Sequence, residues 1–287
     1  MAKKRDIPGF DATYEAFYGA RWPALRDALR KGTNPICRWS RFAPHPPPPE
    51  WKPVYPWAPQ CFPLAGSGTA KGAPLDYVMD LASVVAASAL PIEPDDTILD
   101  LCAAPGGKTL ILAESLRGSG LLIANELSAN RRARLTQTIR DYLPDGIRAN
   151  VVVRGRDGGL WGKREPSSVD KVLVDAPCSS EKHVLAKPAQ LAKWTPSRSK
   201  ILARRQYGLL RSATLALKPG GLALYATCSV SPLENDAVVA RLIEKRGDEV
   251  EVLPITPPIG APGTHGHWIL PDETGCGPLY FSLLRRR

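Results

Sequence analysis

After residue 75 the chain alternates short apolar runs with longer amphipathic ones, and this alternation constrains the fold more than any other feature of the sequence. Thr97–Leu101, Leu121–Asn125, Val151–Val153, Val169–Asp175, Leu222–Thr227 and Leu279–Leu284 read as strands, several of them rich in valine and isoleucine. Residues 76–90, Gly107–Arg117, Arg131–Tyr142, Ser199–Leu217 and Glu234–Lys245 carry apolar side chains at helical spacing. Strand and helix exchanging at this interval imply an α/β fold, a doubly wound and mostly parallel sheet with helices on both faces. Such sheets bind ligands outside the carboxyl ends of their strands, near the switch point. Function should therefore be sought at the strand ends.

Ahead of this region, Phe10–Lys31 shows helical spacing through Tyr14, Phe17, Tyr18, Trp22, Leu25 and Leu29 and stops at Gly32. Residues 1–43 are accordingly expected to form a helical N-terminal extension. From Pro44 to Pro74 ten prolines stand in 31 residues, interleaved with Trp51, Tyr55, Trp57 and Phe62. A segment so short of backbone N–H groups cannot be helical, so 44–74 reads as an extended connection packed along a surface by its aromatics. That leaves 75–287 for the catalytic α/β domain.

The first strand runs into Asp100-Leu-Cys-Ala-Ala-Pro-Gly-Gly-Lys-Thr109 and then into a helix. A Gly-rich turn at a helix N-terminus admits a ligand to unpaired backbone N–H groups. Gly107-Lys108-Thr109 fits the end of a phosphate-binding P-loop, but Cys102 stands where that motif needs its first glycine. The second strand ends in Asn125-Glu126, a carboxylate placed to accept from ribose hydroxyls, which nucleotide cofactors and S-adenosylmethionine share. The third is followed by Arg156-Asp157-Gly158-Gly159, suited to an adenine amino group. The fourth ends in Asp175-Ala-Pro-Cys178-Ser-Ser and the fifth in Thr227-Cys228-Ser. Two cysteines at the ends of two strands point toward one cleft. A thiolate is the soft nucleophile for an electron-poor ring; the bland alternative is a pair of buried structural thiols.

Composition narrows the partners. The 287 residues carry 38 Lys and Arg against 28 Asp and Glu, a net charge of +10, which favours a polyanionic partner. The excess is local: residues 1–75 hold eleven basic and five acidic groups, 182–211 hold eight basic and none acidic, and Arg285–Arg287 add three more, leaving the rest acidic. Within 182–211, Lys182, Lys187, Lys193, Arg198, Lys200, Arg204 and Arg205 are candidate phosphate contacts for a nucleic-acid partner, and Trp194 a platform for an unpaired base. The alternative is a solvated helix face. Six scattered cysteines without a C-x-x-C pair read as reduced intracellular thiols, and His265, His267 and Cys276 make only a weak metal-like cluster, so no metal is expected. No run reaches the length of a membrane span, and the basic N-terminus lacks the apolar stretch of a signal peptide, so neither membrane insertion nor secretion is expected.

The motifs at 100–109, at Asp175-Ala-Pro-Cys-Ser179 and at Tyr225-Ala-Thr-Cys-Ser229 resemble those of the Nop/Sun RNA cytosine-5 methyltransferases. Tyr77–Ser83, Asp157–Gly162, Gly277–Phe281 and the opening Phe10-Asp-x-x-Tyr and Arg21-Trp-Pro-x-Leu-Arg26 extend the likeness toward the mitochondrial ribosomal RNA subfamily. The resemblance implies a Rossmann-like S-adenosylmethionine-dependent fold. It also implies a cofactor site at Cys102, Ala103, Ala104, Pro105, Gly106, Gly107, Lys108, Glu126, Arg131, Asp157, Gly158 and Asp175, with Glu126 where many members have Asp. Cys228 is similar to the family nucleophile and Cys178 to the cysteine that assists product release. Asp175 is expected to hold the base edge and Lys108 to lie near C5. Ribosomal RNA is the expected substrate, with transfer RNA, or an assembly role without turnover, as alternatives. A helical-repeat partner of the mitochondrial termination-factor type and a mitochondrial matrix location, otherwise a cytoplasmic one, follow from the same likeness, although Asp6 and Asp11 do not suit a targeting segment.

Overall fold

The computed structural model of the chain describes residues 9–64, 76–117 and 119–287. The first eight residues and the boundary at 74/75 lie outside them. Twelve strands are formed among the described residues: β1 (Ile36–Trp39), β2 (Cys61–Pro63), β3 (Asp76–Met79), β4 (Thr97–Asp100), β5 (Leu121–Asn125), β6 (Val151–Arg154), β7 (Val169–Asp175), β8 (Leu217–Thr227), β9 (Val250–Leu253), β10 (Ala261–Pro262), β11 (His267–Ile269) and β12 (Leu279–Arg286). Nine build the main sheet, in the order β10-β11-β12-β8-β7-β4-β5-β6 with β9 beside β12. β6, β5, β4, β7 and β8 run parallel, and β12 lies antiparallel to β8.

From β4 the chain winds outward to β5 and β6, then crosses back to β7 and β8, so the switch point falls between β4 and β7. Consecutive residues bury into opposite layers: Ile98, Leu173 and Leu224 into one, Leu99, Val172 and Tyr225 into the other. This is the period of two of a strand covered on both faces. Each fully buried Leu, Ile or Val side chain stabilises the fold by about 2 kcal/mol.

Four expectations change, three of them outside this sheet. Residues 76–79 are strand rather than helix: Tyr77-Val-Met extends, and Asp80 caps the helix Leu81–Ser88 by accepting from the Ala82 N–H at 2.9 Å. The span 10–31 divides into Phe10–Tyr18 and Trp22–Lys31, because Gly19 turns at φ +54° and Pro23, lacking an N–H, begins the second helix. The proline-rich segment supplies β2, an edge strand on β1, whose other neighbour is β3; Pro63 is tolerated there at the strand's end. Finally, helix Ser197–Ala216 ends one residue sooner than expected and β8 begins at Leu217, pairing with Val169 across a register shift.

The outer elements dock on the sheet domain through buried contacts, Ile36, Ala58 and Cys61 joining its core. Arg38 of β1 reaches Glu114 of helix Gly107–Ser115 through paired hydrogen bonds of 3.0 and 2.5 Å, both side chains buried. The N-terminal helices bury Phe10, Tyr14, Trp22, Leu25 and Leu29 against Val184, Leu185, Trp194, Val230 and Leu270.

Candidate active site

The three loops after β4, β5 and β6 are fastened by one side chain. Asn125, at the end of β5, donates from Nδ2 to the carbonyls of Leu101 and Arg156 at 3.0 Å each and accepts from the Arg156 N–H at 2.9 Å. The sequence singled out Glu126 and passed over this neighbour. Glu126 is buried; its Oε1 accepts from the Ser128 N–H at 2.9 Å, while Oε2, 3.2 Å from Arg131 Nη1, receives no aligned hydrogen bond. Arg131 also donates to the Ala104 carbonyl at 2.5 Å. An acidic oxygen shielded by protein yet short of a donor fits a ribose hydroxyl. Asp157 is exposed, its Oδ1 accepting from the Gly159 N–H at 2.9 Å.

The glycines have a reason nearer than a ligand. Gly106 sits at φ +120°, and a Cβ there would lie 2.8 Å from Thr138 Cγ2; a Cβ on Gly107 would lie 2.7 Å from the Tyr77 ring; one on Gly158 would press on Leu101 and Leu209 at 3.0 Å. Packing within the chain accounts for all three. Burial above all, and then Asp100, raises the Cys102 thiol well beyond the ordinary range, which disfavours its thiolate. Asp100 is buried at the end of β4, where burial pushes its carboxyl up to about 7 although the Thr109 hydroxyl donates to it at 2.7 Å.

Across the switch point, Lys108 Nζ meets Asp175 Oδ2 at 2.7 Å. Burial works against the lysine's charge, but Asp175 outweighs it and the ammonium is held above its ordinary pKa. The two residues expected to act separately are thus one ion pair.

Beside this pair the loops after β7 and β8 bring Cys178 and Cys228 together, Sγ to Sγ at 2.9 Å, both thiols free. Ser180 Oγ completes a triangle, 3.4 Å from Cys178 Sγ and 3.2 Å from Cys228 Sγ. Hydrogen bonding from Cys178 lowers the Cys228 pKa against the cost of burial, with Ser180 and Lys108 adding to it and Asp175 opposing. The same bond, followed by burial, raises the Cys178 pKa. Ser180 holds this place from a left-handed backbone, φ +52° and ψ +61°, a conformation that costs a non-glycine residue about 1–2 kcal/mol. Nothing in a Ser-Ser dipeptide signals it.

The basic stretch divides. Lys187, Lys193, Arg198, Lys200, Arg204 and Arg205 are exposed, and Arg198 Nη2 comes within 3.4 Å of the Ser179 carbonyl. Lys182 is half-buried and donates to Thr33 Oγ1 at 2.7 Å. Trp194 is corrected: it is buried, edge-on to Phe10 at 4.9 Å between centroids, and presents no face to a base. Among the described residues no group of three His, Cys, Asp or Glu side chains could hold a metal; His267 Nε2 instead lies 2.8 Å from the Ile259 carbonyl. No helix among them is long and apolar enough to cross a membrane.

Comparison with known proteins bears on this geometry. The sequence profile of the 16S rRNA methyltransferase RsmB/F family matches residues 87–285. The 5-cytosine rRNA methyltransferase NSUN4 of Xenopus laevis is 41% identical over 181 residues, 62% of this chain and 44% of that protein. The mitochondrial tRNA (cytosine(34)-C(5))-methyltransferase of Danio rerio is 38% identical over 169 residues, 58% of this chain and 46% of that protein. The chain thus spans about half the length of the curated relatives it matches. A methyltransferase homolog protein from Pyrococcus horikoshii shares the fold with a TM-score of 0.77 at 23% identity, covering 97% of this chain and 96% of that one.

Proposed function

Because the chain belongs to the 16S rRNA methyltransferase RsmB/F family, we propose that it methylates C5 of cytosine in RNA from S-adenosylmethionine, with Cys228 as the covalent nucleophile. The observation that carries the reading is the thiol pair: two free sulfurs in contact in the neighbouring loops after β7 and β8, with the contact lowering the Cys228 pKa and raising that of Cys178, beside the Lys108–Asp175 ion pair. This chemistry is assigned to residues 75–287, to which 1–43 and 44–74 are attached.

Cytosine C5 is too weak a nucleophile to take a methyl group unaided. The Cys228 thiolate adds to C6, forming an S–C6 bond and pushing the electron pair toward C5. Asp175 accepts from the N4 edge of the base while Lys108 keeps its charge balanced. S-adenosylmethionine supplies an electrophilic methyl group when bound; Glu126, Asp157 and the turn from Cys102 to Gly107 are the residues that would hold it, and Glu126 Oε2 is the oxygen left for a ribose donor. A base takes the C5 proton, the C–H electron pair restores the C5–C6 double bond, and the S–C6 pair leaves with Cys228 as thiolate. Cys178, touching the departing sulfur, assists release.

Ribosomal RNA is the proposed substrate, supported by the Xenopus relative; the Danio rerio relative keeps transfer RNA as the second reading and supports a mitochondrial setting. A helical-repeat protein of the termination-factor type is the proposed partner. Bisulfite sequencing of ribosomal and transfer RNA, each incubated with the protein and cofactor, tests the assignment: a new 5-methylcytosine in the first class supports it, one confined to the second moves the substrate, and none in either removes it.

A further inference from the structure

The two cysteine loops meet a second time beneath the thiols. Cys178-Ser179 and Cys228-Ser229 lie side by side, with the sulfurs 2.9 Å apart on the cleft side and the serine hydroxyls 3.0 Å apart on the buried side. Under the serines lie Glu181 and Glu234, both without solvent exposure. Among the described residues neither has an ion-pair partner.

Their hydrogen bonds can be counted proton by proton. Glu181 accepts at Oε1 from the Tyr14 hydroxyl at 2.5 Å and the Ser229 hydroxyl at 3.1 Å, and at Oε2 from the Val230 N–H at 3.1 Å. Glu234 Oε2 accepts from the Ser179 N–H and from Gln206 Nε2, each at 2.9 Å. Ser179 Oγ then lies against both remaining carboxyl contacts, Glu181 Oε1 and, at 2.5 Å, Glu234 Oε1. A hydroxyl has one proton. With both glutamates ionised, one of these contacts would set lone pair against lone pair in a buried site without a cation. A proton on Glu234 resolves the count: Glu234 donates to Ser179 Oγ, Ser179 donates to Glu181, Ser229 shares its one proton between Glu181 Oε1 and Ser179 Oγ, and Tyr14 and Val230 complete the acceptor's shell.

We propose that Glu181, Ser179 and Glu234 form a one-proton clamp, capped by Tyr14, that sets the contact between Cys178 and Cys228. All four are positioning residues, and through Tyr14 the N-terminal helix becomes part of what holds the thiols. The inference rests on Cys228 being the reacting group. Burial, then repulsion from Glu181, raises the Glu234 pKa. The groups around the pair are Tyr14 and Tyr18 from the first helix, with Arg21 beyond Tyr18, Tyr225 from β8, Cys178 from the β7 loop, Asp236 after the β8 loop, and Arg198 at the Ser179 carbonyl. None is a cation against either carboxyl. A raised carboxyl keeps the clamp closed while protonated and opens it as pH rises through the folded-state value.

The test is the alkylation rate of Cys228 by iodoacetamide, located by peptide mass across a pH series in the full chain, beside single-turnover RNA methylation. Glu234→Gln supplies permanent donors toward Ser179 Oγ and keeps a carbonyl acceptor, so its rate at neutral pH should stay within about threefold of wild type and its alkaline loss should vanish. Glu181→Gln points amide hydrogens at donors, and a buried donor left unmatched is costly enough to slow alkylation at least about tenfold. If that variant is unfolded by circular dichroism, Tyr14→Phe decides, and should slow alkylation more than Glu234→Gln does. Equal effects of Glu181→Gln and Glu234→Gln, or no effect of either Glu181→Gln or Tyr14→Phe, overturn the clamp. Alkylation following this order in a protein that methylates no RNA would sustain the clamp and sink the proposed function; methylation with the order absent would do the reverse.

Discussion

Cys228 is distinguished by its neighbours, since Cys178 and Ser180 both lie within hydrogen-bond reach of its sulfur. Ser180 pays for its place in backbone strain, which permits two substitutions to be separated. Ser180→Ala should slow iodoacetamide capture of Cys228 roughly three- to tenfold, the loss of about one hydrogen bond to a charged group, and leave the melting temperature little changed. Ser180→Gly should slow capture equally but stabilise the fold by about 1 kcal/mol, read by urea denaturation. Asp100 has a pH signature. Its carboxyl is raised by burial to about 7, so the stability it contributes is full at acid pH and is lost as pH rises through about 7. Asp100→Asn should therefore flatten the fall in melting temperature between about pH 4 and 7. At this scale the sequence disclosed the cysteines, Asp175 and Glu126, because their strand ends are marked by proline, glycine and a change of hydrophobic period. Ser180, Asn125, Glu181 and Glu234 went unread. Their importance comes from a left-handed backbone or from partners more than twenty residues away, and a glutamate entering a basic stretch resembles any solvated one.

Secondary elements were legible in proportion to how much of their stabilisation is local. β4, β5, β7 and the end of β8 lie where Thr97–Leu101, Leu121–Asn125, Val169–Asp175 and Leu222–Thr227 predict them, since strands buried on both faces spell continuous apolar runs. β1, β2 and β3 are three or four residues each, too short to show a period, and only their pairing makes them strands. Trp194 failed for a related reason: an aromatic among lysines suits an RNA surface or an N-terminal helix equally until the helix is docked. The docking of the small sheet hangs on Arg38 and Glu114, both buried. Removing one partner of such a pair strands a charge and costs about 3–5 kcal/mol, whereas replacing both with apolar residues is close to neutral. Arg38→Met should accordingly lower stability by that amount in urea, and Arg38→Met with Glu114→Leu should recover most of it.

For the molecule as a whole, the +10 charge is spread unevenly: the exposed lysines and arginines of 182–211 adjoin the Cys178 loop, Arg198 touching the Ser179 carbonyl. A surface built this way binds phosphates by counterion release. RNA affinity should fall at least about tenfold between about 50 and 200 mM salt, and neutralising Lys200, Arg204 and Arg205 together should flatten that slope without changing which cytosine is modified. A salt-independent affinity would count against this surface. The central claim is narrower, that Cys228 bonds to cytosine and Cys178 lets it go. It is tested by incubating Cys178→Ala with cofactor and substrate RNA and running the product on a denaturing gel. A protein–RNA band that survives denaturation is expected, and it should disappear when Cys228→Ala is added to the same chain. A Cys228→Ala protein that still methylates RNA, or a Cys178→Ala protein that turns over freely with no trapped band, would contradict it.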